Sequence, residues 1–168
     1  MKVKNRKTEY VPFKKVGSNV VIMWDYTPIF KSNAKGEEVE TPLAVWQEER
    51  FGYTPTLTEI KELIIGYYNK MVDTEILSGF VWNGYNVWLS TENQFNYKAA
   101  YDLAVQTNGA TLPMTFKFDN GTDTVYHEFK TVEELSDFYM KAIAHIQHCL
   151  EEGWKKKDTI NWNVFTNI

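Results

Sequence analysis

A chain of 168 residues, 43% hydrophobic and 24% charged, is most economically one domain, with enough apolar surface to rule out wholesale disorder. Its formal charge of −4 excludes a global attraction for nucleic acid or an anionic membrane. The single cysteine, Cys149, excludes an intramolecular disulfide and fits a reducing compartment.

Met1-Lys2-Val3-Lys4-Asn5-Arg6-Lys7 is basic but no apolar run follows it, so a signal peptide is not expected. No apolar stretch approaches the roughly 20 residues a bilayer span needs. The expectation is a soluble protein. Residues 10–15 and 19–26 read as strands, the second carrying Val20, Val21, Ile22, Trp24 and Tyr26. Residues 31–41 turn polar and read as a loop. Residues 43–51 suit a returning strand, although Gln47-Glu48-Glu49-Arg50 suits a helical turn as well.

Thr56 and Glu59 have capping-box spacing, and Leu57, Ile60, Ile64, Tyr67 and Met71 recur at helical intervals, which predicts a helix over 57–73. Asn83-Gly84 predicts a type I′ hairpin, because both central residues of that turn need positive φ. In that register Phe80, Trp82, Tyr85, Val87 and Leu89 share one face, while Val81 and Trp88 point the other way. Thr91 and Gln94 repeat the cap spacing, for a helix ending at Asn108-Gly109. Residues 114–118 and 125–129 form a second hairpin around Asp119-Asn120-Gly121.

Thr131 and Glu134 open the last helix, with Leu135, Tyr139, Ala142, Ile146 and Leu150 on its inner stripe and Gly153 ending or bending it. The fold class is therefore α+β: N-terminal antiparallel strands, then helix, β-hairpin, helix, β-hairpin and long helix. A β-rich segment, 1–52, precedes a helix plus two hairpin–helix pairs over 53–168, with both parts expected in one unit.

The ordered series Gly79-Phe80-Val81-Trp82-Asn83-Gly84, capped helix, second hairpin, and long helix with His145 and the Trp154-Lys155-Lys156-Lys157 end resembles the phage-associated domain-of-unknown-function family 4376 over about residues 55–160. That resemblance implies a phage or prophage product tied to the tail of gut Bacteroidales phages, found in the virion and assembled in the bacterial host cytoplasm. The family brings no catalytic residues to carry over, and it leaves residues 1–52 unexplained.

His145, His148 and Cys149 lie at i, i+3 and i+4 on one helix, the spacing at which zinc ligands converge. No CxxC or HExxH accompanies them, and a half-buried histidine beside a small buried thiol explains them as well. Cys149 as a nucleophile needs a partner that favours its thiolate, and His145 sits one turn away. Glu37/Glu38 and Glu133/Glu134 read as a solvated loop and a helix first turn, and Lys155-Lys156-Lys157 as favourable charge at a helix end.

Six tryptophans exceed what such a core obviously requires, which marks Trp88, Val81 and Trp162 as candidate interface residues. The resulting expectation is a non-enzymatic phage structural or assembly protein. No cofactor, metal, nucleic acid or membrane is expected. The partners would be other virion proteins, in a homo- or hetero-oligomer. The alternatives are a carbohydrate-binding module for host recognition and an intracellular host-takeover factor.

Overall fold

The expected α+β class is what the computed structural model shows over the residues it describes, 1–166: two four-stranded antiparallel sheets and three long helices. They divide into two units, one made of residues 1–66 and the segment from Ile160 onward, the other of Tyr67–Thr159. The division falls inside a helix, whereas the sequence changes character near residues 52–53.

The first unit holds β1 (Lys2–Arg6), β2 (Phe13–Val16), β3 (Asn19–Ser32) and β4 (Glu38–Phe51), ordered β1-β4-β3-β2. Val21, Met23, Ala44 and Trp46 form its core on one side, with Val3 and Tyr10 packed against them. Val20, Ile22 and Trp24, of opposite parity, are buried as well. Burial on both faces is why this stretch reads as an unbroken apolar run.

Three features differ from expectation. Strand β1 escapes sequence reading because Lys-Val-Lys-Asn-Arg has one apolar residue. Its ladder, from Lys2↔Gln47 to Arg6↔Leu43, makes it an edge strand, where charge is tolerated and discourages further pairing. Strand β3 runs beyond residue 26. Register shifts after Trp24 and after Pro28, with Asp25 at φ 58, absorb the mismatch and let the ladder resume as far as Ser32↔Glu38. The polar loop thereby shrinks to residues 33–37, where Asn33 Oδ1 accepts from the backbone N–H of Lys35 at 2.8 Å and Glu37 at 3.1 Å. Residues 47–50 belong to the strand, and the buried Glu48 is paired with Arg50 Nε at 3.0 Å.

Helix α1 (Leu57–Ser78) starts at the expected capping box: Glu59 N–H donates to Thr56 Oγ1 at 3.3 Å, and Thr56 N–H donates to Glu59 Oε2 at 2.7 Å. It runs one turn past residue 73, because Ile76 packs against the core of the second unit.

That core lies between the sheet β5 (Phe80–Trp82), β6 (Tyr85–Val87), β7 (Met114–Asp119), β8 (Thr124–Phe129), in that order, and the helices α2 (Thr91–Gln106) and α3 (Val132–Asp158). Asn83 and Gly84, at φ 48 and 81, make the expected turn, and Trp82↔Tyr85 and Phe80↔Val87 pair as expected. Trp82, Phe118, Phe129 and Phe138 of α3 pack with ring centroids 5.2–6.3 Å apart.

The cap of α2 sits one residue earlier than predicted. Ser90 Oγ accepts from Asn93 N–H at 3.2 Å, while Gln94 Nε2 reaches back to the Leu89 carbonyl at 2.7 Å. Its end is as expected: Asn108 and Gly109 have φ 49 and 82, and Gly109 N–H bonds the Ala104 carbonyl at 2.8 Å. Thr131 caps α3 as read from the sequence, with Oγ1 accepting from Glu134 N–H at 3.2 Å.

The buried stripe of α3 is Leu135, Phe138, Ala142, Cys149 and Gly153, with Tyr139 and Ile146 at its margin, so it is rotated from the predicted one. Phe138 takes the central place because the sheet offers a ring-lined hollow there. Gly153 does not end the helix, which runs on to Asp158. It is buried where a Cβ would come 2.3 Å from Val72 Cγ2, so the glycine permits close approach of α1 and α3.

Candidate functional site

Strand parity sorts the second sheet into a packed face and an open one. Val81 pairs with Asn86, Asn86 with Asp119, and Lys117 with Tyr126, so these residues share the face away from α2 and α3. Val81 is 56% exposed, Trp88 56% and Tyr126 70%. Val81 therefore points away from the core as its spacing predicts, and Trp88, just past the end of β6, is exposed too. Tyr126 was missed, yet the alternation Thr124-Val125-Tyr126-His127-Glu128-Phe129 carries the signal: Phe129 inward puts Tyr126 outward.

The same sheet opens into a groove. Continuing the Asn86↔Asp119 register would set Trp88 opposite Lys117. Instead the chain turns into α2 at Ser90, and the Trp88 carbonyl accepts from Asn93 Nδ2 at 2.7 Å. The gap is a groove of about 680 Å³, with Tyr97, Phe116 and Phe118 as its apolar lining and Trp88, Asn86, Asn93, Asn96, Lys117 and Asp119 among its other walls.

Trp162 belongs to the other unit. It is half-buried in a short 3₁₀ turn (Trp162–Phe165), with Lys61 Nζ 5.6 Å from its ring centroid and Phe165 packed beside it. It is thus less free to anchor a partner than Trp88. Trp154, at 49% exposure, lies open on α3, whereas Trp24, Trp46 and Trp82 are core residues.

His145 and Cys149 do meet, Sγ to Nε2 at 3.5 Å, but the same Nε2 lies 3.0 Å from the Glu75 carbonyl. A carbonyl only accepts, so Nε2 carries a proton and has no lone pair for the thiol. Burial, reinforced by the Glu75 charge, pushes the Cys149 thiol up and disfavours the thiolate. Among the described residues, no group of three or more His, Cys, Asp or Glu is placed to hold a metal ion. No helix among them is long and apolar enough to cross a membrane.

A polar pair supports the ring cluster beneath the open face. Trp82 Nε1–H donates to Asp137 Oδ2 at 3.0 Å, and Lys141 bonds the same carboxylate. The Lys141 and Trp82 hydrogen bonds hold the Asp137 carboxyl below its ordinary value of 3.8. A depressed folded pKa stabilises the fold above the ordinary value, and that contribution is lost as pH falls through the folded one. In urea unfolding from neutral pH to about pH 2, the stability gap between wild type and Asp137→Asn should therefore shrink in the acid range. A constant gap would show that the charge contributes nothing.

A family model described as Domain of unknown function (DUF4376) matches residues 59–166, from the first turns of α1 through α3 to the 3₁₀ turn. No curated protein and no solved structure matches the chain.

Proposed function

Because the chain belongs to the family Domain of unknown function (DUF4376), we propose that it is a non-enzymatic bacteriophage structural or assembly protein, associated with the tail or tail fibre, that acts through protein–protein contacts. The phage and tail assignment leans on the resemblance of the hairpin–helix series to a phage-associated family, and of residues 55–76 to the segment that leads into this module in gut Bacteroidales phage and prophage proteins. Its partners are other virion proteins, met in the host cytoplasm during assembly and retained in the particle.

One observation carries the contact reading: Val81 on β5 and Tyr126 on β8 stand exposed on the open face of one sheet, and Trp88, just past β6, is exposed as well. Aromatic side chains of this kind anchor protein interfaces, where a few buried rings supply most of the binding energy. The fold does not need them, since the packed face of that sheet is filled without them.

Quantitative mass spectrometry of purified particles tests the assignment. Stoichiometric copies beside the tail proteins are expected; absence from particles overturns it. With the particle partner in hand, Trp88→Ala and Tyr126→Ala should each weaken binding by about tenfold or more while unfolding stays cooperative. Full affinity in both variants would move the interface elsewhere.

A further inference from the structure

We infer that the groove at the open end of the β6–β7 ladder binds a neutral saccharide. This goes beyond the contact reading and does not depend on it.

The groove combines two surfaces that a sugar ring needs together. Trp88 offers a half-exposed ring, and the partly buried Phe116, backed by the buried Tyr97 and Phe118, closes the apolar side of the groove. A pyranose presents a C–H face to such surfaces and carries its hydroxyls around the edge. Around the same groove stand Asn86, Asn93 and Asn96. Each amide offers both a donor and an acceptor, as each hydroxyl does. Among the described residues, no hydrogen bond engages the side chains of Asn86 or Asn96, and Asn93 spends only its Nδ2 on the Trp88 carbonyl.

The backbone adds fixed partners. Pairs in an antiparallel ladder alternate between exchanging and not exchanging main-chain bonds. Asn120 N–H bonds the Asp123 carbonyl at 3.1 Å, so the alternation turns the Lys117 N–H and C=O away from β8. They face the gap that β6 leaves when it departs after Asn86↔Asp119.

Charge and size narrow the ligand. Lys117 and Asp119 are the charged residues of the groove and their formal charges cancel, which favours a neutral ligand over an anionic one. A volume of about 680 Å³ lies in the range of small-molecule sites and suits two or three sugar residues. The free edge of β7 spans only Thr115 and Lys117, too short to hold an added polypeptide strand by its main chain.

The test is a titration of the full chain with maltotriose, cellotriose, mannotriose and N-acetylchitotriose, followed by ¹⁵N–¹H NMR. At least one should produce a saturable shift of the Trp88 indole N–H and the Asn96 side-chain amide, with an affinity little changed by added salt. Thr115→Trp, which fills the groove from an exposed strand position, and Asn96→Ala, which removes one amide, should each lower that affinity about tenfold while the remaining spectrum stays folded. No saturable shift up to roughly 10 mM of any of the four overturns the proposal. So does binding that survives both substitutions, or affinity that falls steeply with salt. Val81→Ala and Tyr126→Ala leave sugar binding intact, so failure of this inference and failure of the contact reading are seen separately.

Discussion

Trp82→Ala should cost roughly 3–5 kcal/mol of stability, the range for deleting a large buried aromatic side chain. Trp82 is 2% exposed, and its ring lies within 6.2 Å, centroid to centroid, of Phe118, Phe129 and Phe138. It joins three elements at once: the first hairpin, the second hairpin and α3. Removing it leaves a cavity bounded by stiff strands, which collapse poorly. The loss is one of packing, because Asp137 keeps Lys141 as its partner. Chemical unfolding followed by hydrogen exchange in α3 measures the effect. Trp88→Ala, at a site 56% exposed, should stay within about 0.5 kcal/mol of wild type. A comparable loss at both sites would show that Trp88 is as much a part of the packing as Trp82.

Gly153→Leu should also destabilise, although leucine is the better helix former. Propensity alone favours leucine by up to about 1 kcal/mol. Against this, the first added carbon would lie 2.3 Å from Val72 Cγ2, and a β-branched side chain within a helix has little freedom to move aside. Overpacking of this kind costs about 1–3 kcal/mol, so the net change should be a loss. Gly66→Ala is the matched control: it lies within α1, exposed, with nothing within 4 Å of its added carbon. That change should stabilise by roughly 0.5–1 kcal/mol. Thermal midpoints that move in opposite directions would separate close approach from propensity; a rise in both would show that Val72 yields.

The open face was half legible in the sequence. Asn83-Gly84 sets the register of the first hairpin, and a two-residue turn places Trp82 and Tyr85 on the same side. Residue 81 must then point the opposite way, as would residue 88 were β6 to continue that far. The groove beside them was not legible. It exists because β6 stops pairing with β7 after one bridge, and its walls come from β6, the start of α2 and β7. No local pattern links Asn93 to Lys117. The His145–Cys149 spacing was legible as a meeting of side chains, but the Glu75 carbonyl that occupies the histidine arrives from another helix.

By itself, the sequence determined whatever depends on neighbours a few residues apart: the capping boxes at Thr56 and Thr131, the Asn-Gly hairpin, the Gly109 helix end and the α+β class. These are set by φ preferences and short side-chain-to-backbone bonds, which act before any core forms. Tertiary structure decided the rest. It made a basic pentapeptide an edge strand, drew β3 on through its bulges, turned α3 to seat Phe138, and used Gly153 for approach rather than termination. Each of those outcomes rests on contact with residues far along the chain, where the area buried and the space available outweigh local preference.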